Sequence, residues 1–448
     1  MKKAFTAMFL TFALFASSAD VYGAGLKINE DGTSEVISDS LISDKVEIIS
    51  EPVDITEGIT AYSVMPFAET GSDQGYFYDQ LNDLDKQIYD TIDSEIDLIL
   101  DGTIDKIEFV IPDQYNIYLD KAENESEKDR YYYYDENDNE IDYNLTKAIF
   151  TYLGYDHIEY FWLNNKTISL GIGYNQVSNR IGSLIFLSGN SKYAPPYDAS
   201  SAPKEIEKVD SRTNDIITDI PDNATRYKKL QIINDWLVDN NTYNPYVAAG
   251  DEVSYNKANK VAWMLTSALL YGNGNETAKY PVCEGYAEAF KFLCDSMDIP
   301  CIIVTSKTHE WNAVQMDDGK WYYVDVTFND PIIIGDDEDK IKEAIEKNRY
   351  KHFLIGGNNQ NIVNDKDHIV SLYEDLELPV SISEYDYIYS NTGDADMDGY
   401  LTEADAALML KDISGISKMT AEQSASGDID GDGEITLVDV TKLLEKIG

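Results

Sequence analysis

The sequence predicts an α+β protein built in several parts, and three observations carry that reading. Apolar residues recur every three or four positions from Phe77 to Ile99, through Leu81, Leu84, Ile88, Ile92 and Ile96, which is the period of one helix face. Short apolar runs at 107–111, 158–163, 167–174 and 181–188 have the length and bounding residues of strands. In the last 55 residues a loop-and-helix pattern is written twice. A chain of 448 residues is also too long for a single hydrophobic core.

At the N-terminus, Lys2 and Lys3 precede an apolar run from Ala4 to Ala16 and the small residues Ser17, Ser18 and Ala19. This is the order of an export signal, residues 1–19, with cleavage after Ala19 or else after Gly23 or Ala24. No later stretch approaches the roughly 18 apolar residues of a membrane helix, so the expected mature chain is secreted, extracellular or cell-surface, without a membrane span. Residues 25–70 are polar and read as an extended lead-in or irregular strands. The helix over 77–99 ends at Asp101 and Gly102, and another is expected over 145–153, completing an N-terminal α+β region of residues 25–215. Tyr131 to Tyr134 form a run of four tyrosines that could stack on sugars, although the chain holds 33 tyrosines in all.

The formal net charge is −47, and the 13 acidic residues and 4 lysines of residues 391–448 account for little of it. A surface so acidic excludes nucleic acid as a partner, because phosphate binding requires a basic face. It suits a soluble exported protein.

Helices are expected at 204–219, 224–240 and 255–271, followed by the segment in which chemistry is concentrated. Pro281 breaks the chain just before a helical stripe of Tyr286, Phe290, Leu293, Cys294 and Met297, which puts Cys283 at a helix N-terminus. The free N–H groups and axial dipole there favour a thiolate. Cys294 and Cys301 lack that setting; a bridge between them is sterically conceivable, and buried free thiols are the commoner outcome.

Downstream, residues 308–316 and 320–327 read as two strands around Asp317, Asp318 and Gly319. A three-residue loop with a left-handed Gly319 pairs Met316 with Lys320, which puts Asp325 opposite Trp311 and His309 two residues further along the same face. A two-residue loop would turn the two side chains to opposite faces. Attack on an amide by a thiol requires a base and an acid residue to orient that base, and Cys283, His309 and Asp325 supply the three as candidate catalytic residues.

The duplicated segments run from Asp394 to Asp405 and from Asp428 to Asp439. Oxygen-bearing side chains occupy positions one, three, five, nine and twelve: Asp394, Asp396, Asp398, Thr402 and Asp405, then Asp428, Asp430, Asp432, Thr436 and Asp439. The backbone carbonyls of Tyr400 and Glu434 serve position seven, and Gly399 and Gly433 make the bend at position six. Calcium takes six to eight oxygens around such a bend, so two structural Ca²⁺ ions are expected. Leu401 and Ile435 at position eight are placed to pair the loops. Met409, Leu410 and Ile413 align with Leu443, Leu444 and Ile447 as helix faces packed on each other, and neither loop is read as following an entering helix.

Residues 391–448 resemble a dockerin, which implies a cohesin domain of a scaffold or cell-surface protein as partner, touched through Glu403 and Ala404 or through Leu437 and Val438. Residues 224–331 resemble the core of the transglutaminase-like superfamily of cysteine peptidases and acyltransferases. The matching residues are Val282 to Ala287, His309 to Asn312, Trp321 to Thr327, and Asp330 with Pro331; Trp236 to Val238 and Asn241 to Tyr243 fit upstream. That resemblance implies a papain-like core within a domain of residues 216–390, a short linker to the calcium-binding module of 391–448, and an oxyanion hole whose second donor no motif identifies; Trp263 and Tyr280 are candidates. The expected whole is a secreted cellulosome-type cysteine enzyme acting on amide bonds of a peptide or protein substrate. The alternatives are a cross-linking transglutaminase and a non-catalytic binding module.

Overall fold

The computed structural model describes residues 75–120, 130–134, 139–142, 152–163, 168–188, 202–248, 261–274, 279–334, 338–370 and 380–448, apart from residues 102, 105, 176, 177, 273 and 389, together with three short strands before residue 40. The chain divides into two compact units, one of residues 1–18 and 50–208 and the other of residues 19–49 and 209–448.

In the first unit an antiparallel sheet runs in the order Ala7–Leu10, Ile168–Tyr174, Ile181–Ser188, Lys106–Val110. The helix Asp83–Leu100 packs on its last strand through the predicted face, with Leu84, Ile88, Ile92, Ile96 and Ile99 buried. It begins six residues later than the periodicity suggests. Asn82 accepts hydrogen bonds from the amides of Leu84 and Asp85 and so caps the helix, while Asp156 takes the amides of Phe77 and Tyr78 at 3.0 and 2.8 Å. Phe77 and Leu81 are still buried, one of them just before and one just after a 3₁₀ turn, Tyr78–Gln80. Residues 158–163, expected as a strand, form 3₁₀ turns instead. Most of the helix expected over 145–153 lies outside the described residues. The tyrosine run is a strand, Arg130–Tyr134, between Ile117–Asp120 and Glu140–Asp142, and Tyr118, Tyr132 and Tyr134 crowd together with ring centroids 5.6 to 6.1 Å apart.

The second unit is built on an antiparallel sheet in the order Cys301–Thr305, Glu310–Gln315, Trp321–Val324, Phe353–Ile355. The helix Cys283–Asp295 lies against its first two strands, and Arg226–Asn240, capped by Thr225, lies against that helix. Asn312 fastens sheet to helix by donating to the Ala287 carbonyl at 3.0 Å. The hairpin register pairs Asn312 with Val324 and Gln315 with Trp321, as a three-residue loop requires, and Gly319 closes it at φ 77°. The second strand stops at Val324 and not at 327, because Asp325 caps a short helix, Val326–Asn329. The helix expected over 255–271 is irregular where described: a 3₁₀ turn at Val261–Trp263, then a π turn at Ser267–Tyr271, with Ser267 Oγ donating to the Ala262 and Met264 carbonyls. Gly25–Ile28 pairs with Ile332–Ile334 on one side, parallel, and with Ser34–Ile37 on the other, antiparallel, in a further small sheet.

Residues 391–448 carry three helices, Glu403–Ile413, Ala421–Gly427 and Leu437–Ile447. Met409 and Leu443 are fully buried with Ala395, Ala406 and Val440, whereas Leu410 and Leu444, expected to pack as a pair, are exposed. A helix does lead into the second loop: Ala421–Gly427 is started by a reciprocal Thr420–Gln423 capping box that the sequence carried in plain view. The position-eight contact also differs from expectation. Leu401 donates its amide to the Asn223 carbonyl at 2.8 Å, Asn223 Nδ2 returns a bond to the Leu401 carbonyl at 3.1 Å, and Thr225 donates to Gly399 at 2.9 Å. The first loop thus pairs with the segment just before the Arg226–Asn240 helix, Ala224 bridging Tyr400 antiparallel. Tyr387 adds a hydrogen bond to Asp394 and stacks on Tyr227 at 4.4 Å.

Gly285, one turn into the helix headed by Cys283, is where that helix meets the irregular 261–271 segment. A Cβ at this position would lie 2.3 Å from Ser267 Oγ and 2.9 Å from the Ala262 carbonyl. Gly285→Ala is therefore expected to destabilise the second unit by about 1–3 kcal/mol through overpacking, read as a lower midpoint of urea unfolding.

Candidate active site

Cys283 is the first residue of its helix, and Val282 before it is in extended conformation and offers no side-chain cap. The Glu310 backbone amide hydrogen-bonds the sulfur, which brings the thiol beside the residue that follows His309 in the chain. The thiol is buried, with the residue 2% exposed. Burial, and then the charges of Glu310 and Glu284, push its pKa well above the ordinary value. Burial therefore works against the thiolate expected at a helix end. A helix terminus contributes about 1 kcal/mol to an anion, and desolvation of a fully buried group outweighs it.

His309 and Asp325 come together as the register requires. His309 Nε2 lies 2.7 Å from Asp325 Oδ2, both side chains almost wholly buried. The turn entering the strand is fixed by Ser306, whose Oγ accepts the amides of Thr308 and His309 at 3.1 and 2.9 Å. Asp325 is held from several sides: Oδ1 accepts the Phe328 amide at 3.0 Å, and its own amide donates to the His352 carbonyl at 2.9 Å.

Sequence reasoning missed a further member of this cluster. His368, on the 3₁₀ turn Lys366–His368, lies with Nε2 2.9 Å from the same Oδ2 of Asp325. Its Nδ1 is 3.6 Å from Asp365 Oδ2, and its ring is parallel to that of His352 at 5.7 Å. No spacing rule marks His368, because it stands alone 43 residues beyond Asp325 in a segment that reads only as closing structure. Burial alone would raise the pKa of Asp325, but His309 and His368 outweigh it and hold the carboxyl well below its usual range. Burial opposes protonation of His368, yet Asp325 and Asp365 raise it to about 9; for His352 burial outweighs the attraction of Asp325 and lowers it to about 4. Tyr280 Oη is committed to the Gly274 carbonyl at 2.8 Å.

His309, Asp325 and His368 offer three ligand atoms within 4.8 Å of one another. Both ring nitrogens, however, sit at hydrogen-bond distance from one oxygen, which is the geometry of N–H donors sharing an acceptor and not of ligands about a common ion. The terminal loops differ. Asp394, Asp396 and Asp405 gather in one cluster and Asp428, Asp430 and Asp439 in another, each within 4.8 Å. Burial, then the neighbouring Asp405 and Asp398, push Asp396 up to about 6. Hard oxygen donors crowded in this way fit Ca²⁺. Gly399 and Gly433 make the bends at φ 95° and 89°.

Comparison with known families agrees with the motifs. The transglutaminase-like superfamily matches residues 213–326, and the dockerin type I domain matches residues 392–448. The chain carries both domains, and type I dockerin domains bind calcium. No curated protein matches the chain. The first match ends one residue beyond Asp325, so His352 and His368 lie outside it.

The pair centred on Asp325 has a definite pH signature. Asp325 is depressed from 3.8, so its contribution to stability is present above that value and is lost as pH falls; His368 is raised from 6.5 to about 9, so its contribution is full below 6.5 and is lost as pH rises through 9. Asp325→Asn should cost on the order of 3–5 kcal/mol near pH 6 by leaving a buried cation without its counter-ion. In urea melts the gap from the wild-type chain should narrow between pH 6.5 and 10.

Proposed function

We propose that residues 216–390 form a cysteine-dependent enzyme acting on amide bonds of peptides or proteins, delivered to a scaffold by the C-terminal dockerin through a cohesin. The observation that supports the reading most is the buried 2.7 Å His309–Asp325 bond, next to a thiol that heads a helix and accepts the Glu310 amide.

In this reading Asp325 accepts the Nε2–H of His309, which leaves Nδ1 as the free base. As sulfur attacks the substrate carbonyl, His309 takes the thiol proton, so no thiolate needs to accumulate beforehand. The tetrahedral oxyanion collapses with expulsion of the amine, which receives the proton from the imidazolium and leaves a thioester on Cys283. Water activated by the same imidazole then attacks the thioester, releasing a carboxylic acid and restoring the thiol. An amine in place of water would give a new amide, and hydrolysis is the outcome we favour for an exported enzyme. Calcium is assigned a structural role, two ions ordering the loops that begin at Asp394 and Asp428.

Full-length protein assayed on casein and on cell-wall peptides, with and without an added amine, tests the reading. Cys283→Ser should lower turnover on the order of 10⁴-fold or more. Product masses should show gain of water; mass gain of the amine would assign transfer instead, and turnover unchanged in Cys283→Ser would leave a binding module. Chelation with EDTA should unfold residues 391–448 and abolish cohesin capture while turnover stays within about twofold.

A further inference from the structure

We propose that His368 is a positioning residue for His309: through the Asp325 oxygen that both rings share, it locks the carboxylate and offsets part of the charge that carboxylate presents to the base. The inference rests on the enzymatic reading above and extends it to a residue outside the matched family segment.

The geometry assigns His368 two tasks. Three N–H donors converge on Asp325: Phe328 on Oδ1 at 3.0 Å, and His309 and His368 on Oδ2 at 2.7 and 2.9 Å. Removing His368 would leave Oδ2 with one donor and the carboxylate freer to turn about its last bond. The His368 ring is itself boxed edge-on by His309 at 5.3 Å, Trp311 at 5.0 Å and Phe328 at 4.8 Å, with His352 parallel behind it. The same segment also grips the turn that delivers His309: Thr308 Oγ1 donates to Asp367 Oδ1 at 2.8 Å, and Ser306 bridges Val370. One short stretch, 365–370, thus fixes the base at its backbone and at its carboxylate partner.

The second task is electrostatic. The groups facing His368 are the Asp325 and Asp365 carboxylates and the His309 and His352 imidazoles; Lys351 acts on His352, and Lys366 and Asp367 flank His368 in its own turn. Two anions against one imidazole favour its charged form, and that cation offsets the charge Asp325 presents to His309. Asp365 is partly exposed and lines an open pocket of about 410 Å³ with His352, Asn361 and Asn364, so the far end of the chain His309–Asp325–His368–Asp365 meets solvent.

The chain has four histidines, His157, His309, His352 and His368, so each imidazole can be assigned by single substitution in ¹⁵N-histidine spectra of the full-length protein. His368 should be doubly protonated at pH 7.5, His352 neutral, and His309 the Nε2–H tautomer. In His368→Gln, which keeps an amide donor but loses the charge, the acid limb of the turnover profile should move to higher pH. Asp365→Asn should lower the titration midpoint of His368, and it stands in if His368→Gln fails to fold. A neutral His368 at pH 7.5, an acid limb unmoved in His368→Gln, or a His368 midpoint unmoved in Asp365→Asn overturns the proposal. The spectra need no substrate: loss of the enzymatic reading would appear as turnover indifferent to Cys283→Ser, whatever the histidines do.

Discussion

Asp325 stands where the Trp321–Val324 strand gives way to the Val326–Asn329 turn, and its carboxylate is claimed by that turn's Phe328 amide and by two imidazoles. One side chain therefore ends a strand, starts a helix and orients the proposed base. Its backbone amide is anchored to His352 on the neighbouring chain segment, so it can respond little to its surroundings. A carboxylate buried at 1% exposure survives as an anion only because the donors around it replace the water it has lost. The fold of the second unit can be described as the scaffolding that brings those donors in from residues 309, 328 and 368.

The burial of Cys283 changes the chemistry expected of a cysteine at a helix end. Its neighbours in the site are carboxylates, Glu284, Glu310 and Asp325, in a chain that is acidic throughout. Such a field disfavours a standing thiolate and suits a sulfur that gives up its proton only as it attacks. The cost is a less nucleophilic resting group; the gain is a thiol less open to oxidation and stray alkylation.

Much of this was legible in the sequence, and the reasons are local. Gly319 at the third loop position fixed the hairpin register, and with it the meeting of His309 and Asp325; Pro281 marked the start of the cysteine helix; two glycines and ten oxygen-bearing side chains at fixed offsets marked the calcium loops. What escaped notice depends on contacts distant in the chain. Nothing near His368 announces that it reaches Asp325, and nothing near Leu401 announces that its amide is taken by Asn223 and not by the twin loop. Apolar periodicity also overextended the 83–100 helix, because it cannot see Asn82 turning its side chain back on the first amides. Residues 158–163 are apolar enough for a strand, and their turns show that composition alone does not choose between the two.

The contact between Asn223–Thr225 and Gly399–Leu401 makes the two halves of the duplicated module unlike in what surrounds them. Leu437 and Val438 stand open at 61% and 50% exposure, and Glu403 and Ala404 are exposed as well, directly after the anchored stretch. A partner closing on the second half would carry residues 209–390 along through that contact, without the wandering of a tether. The internal symmetry written into the sequence is broken in the fold by one strand-like seam.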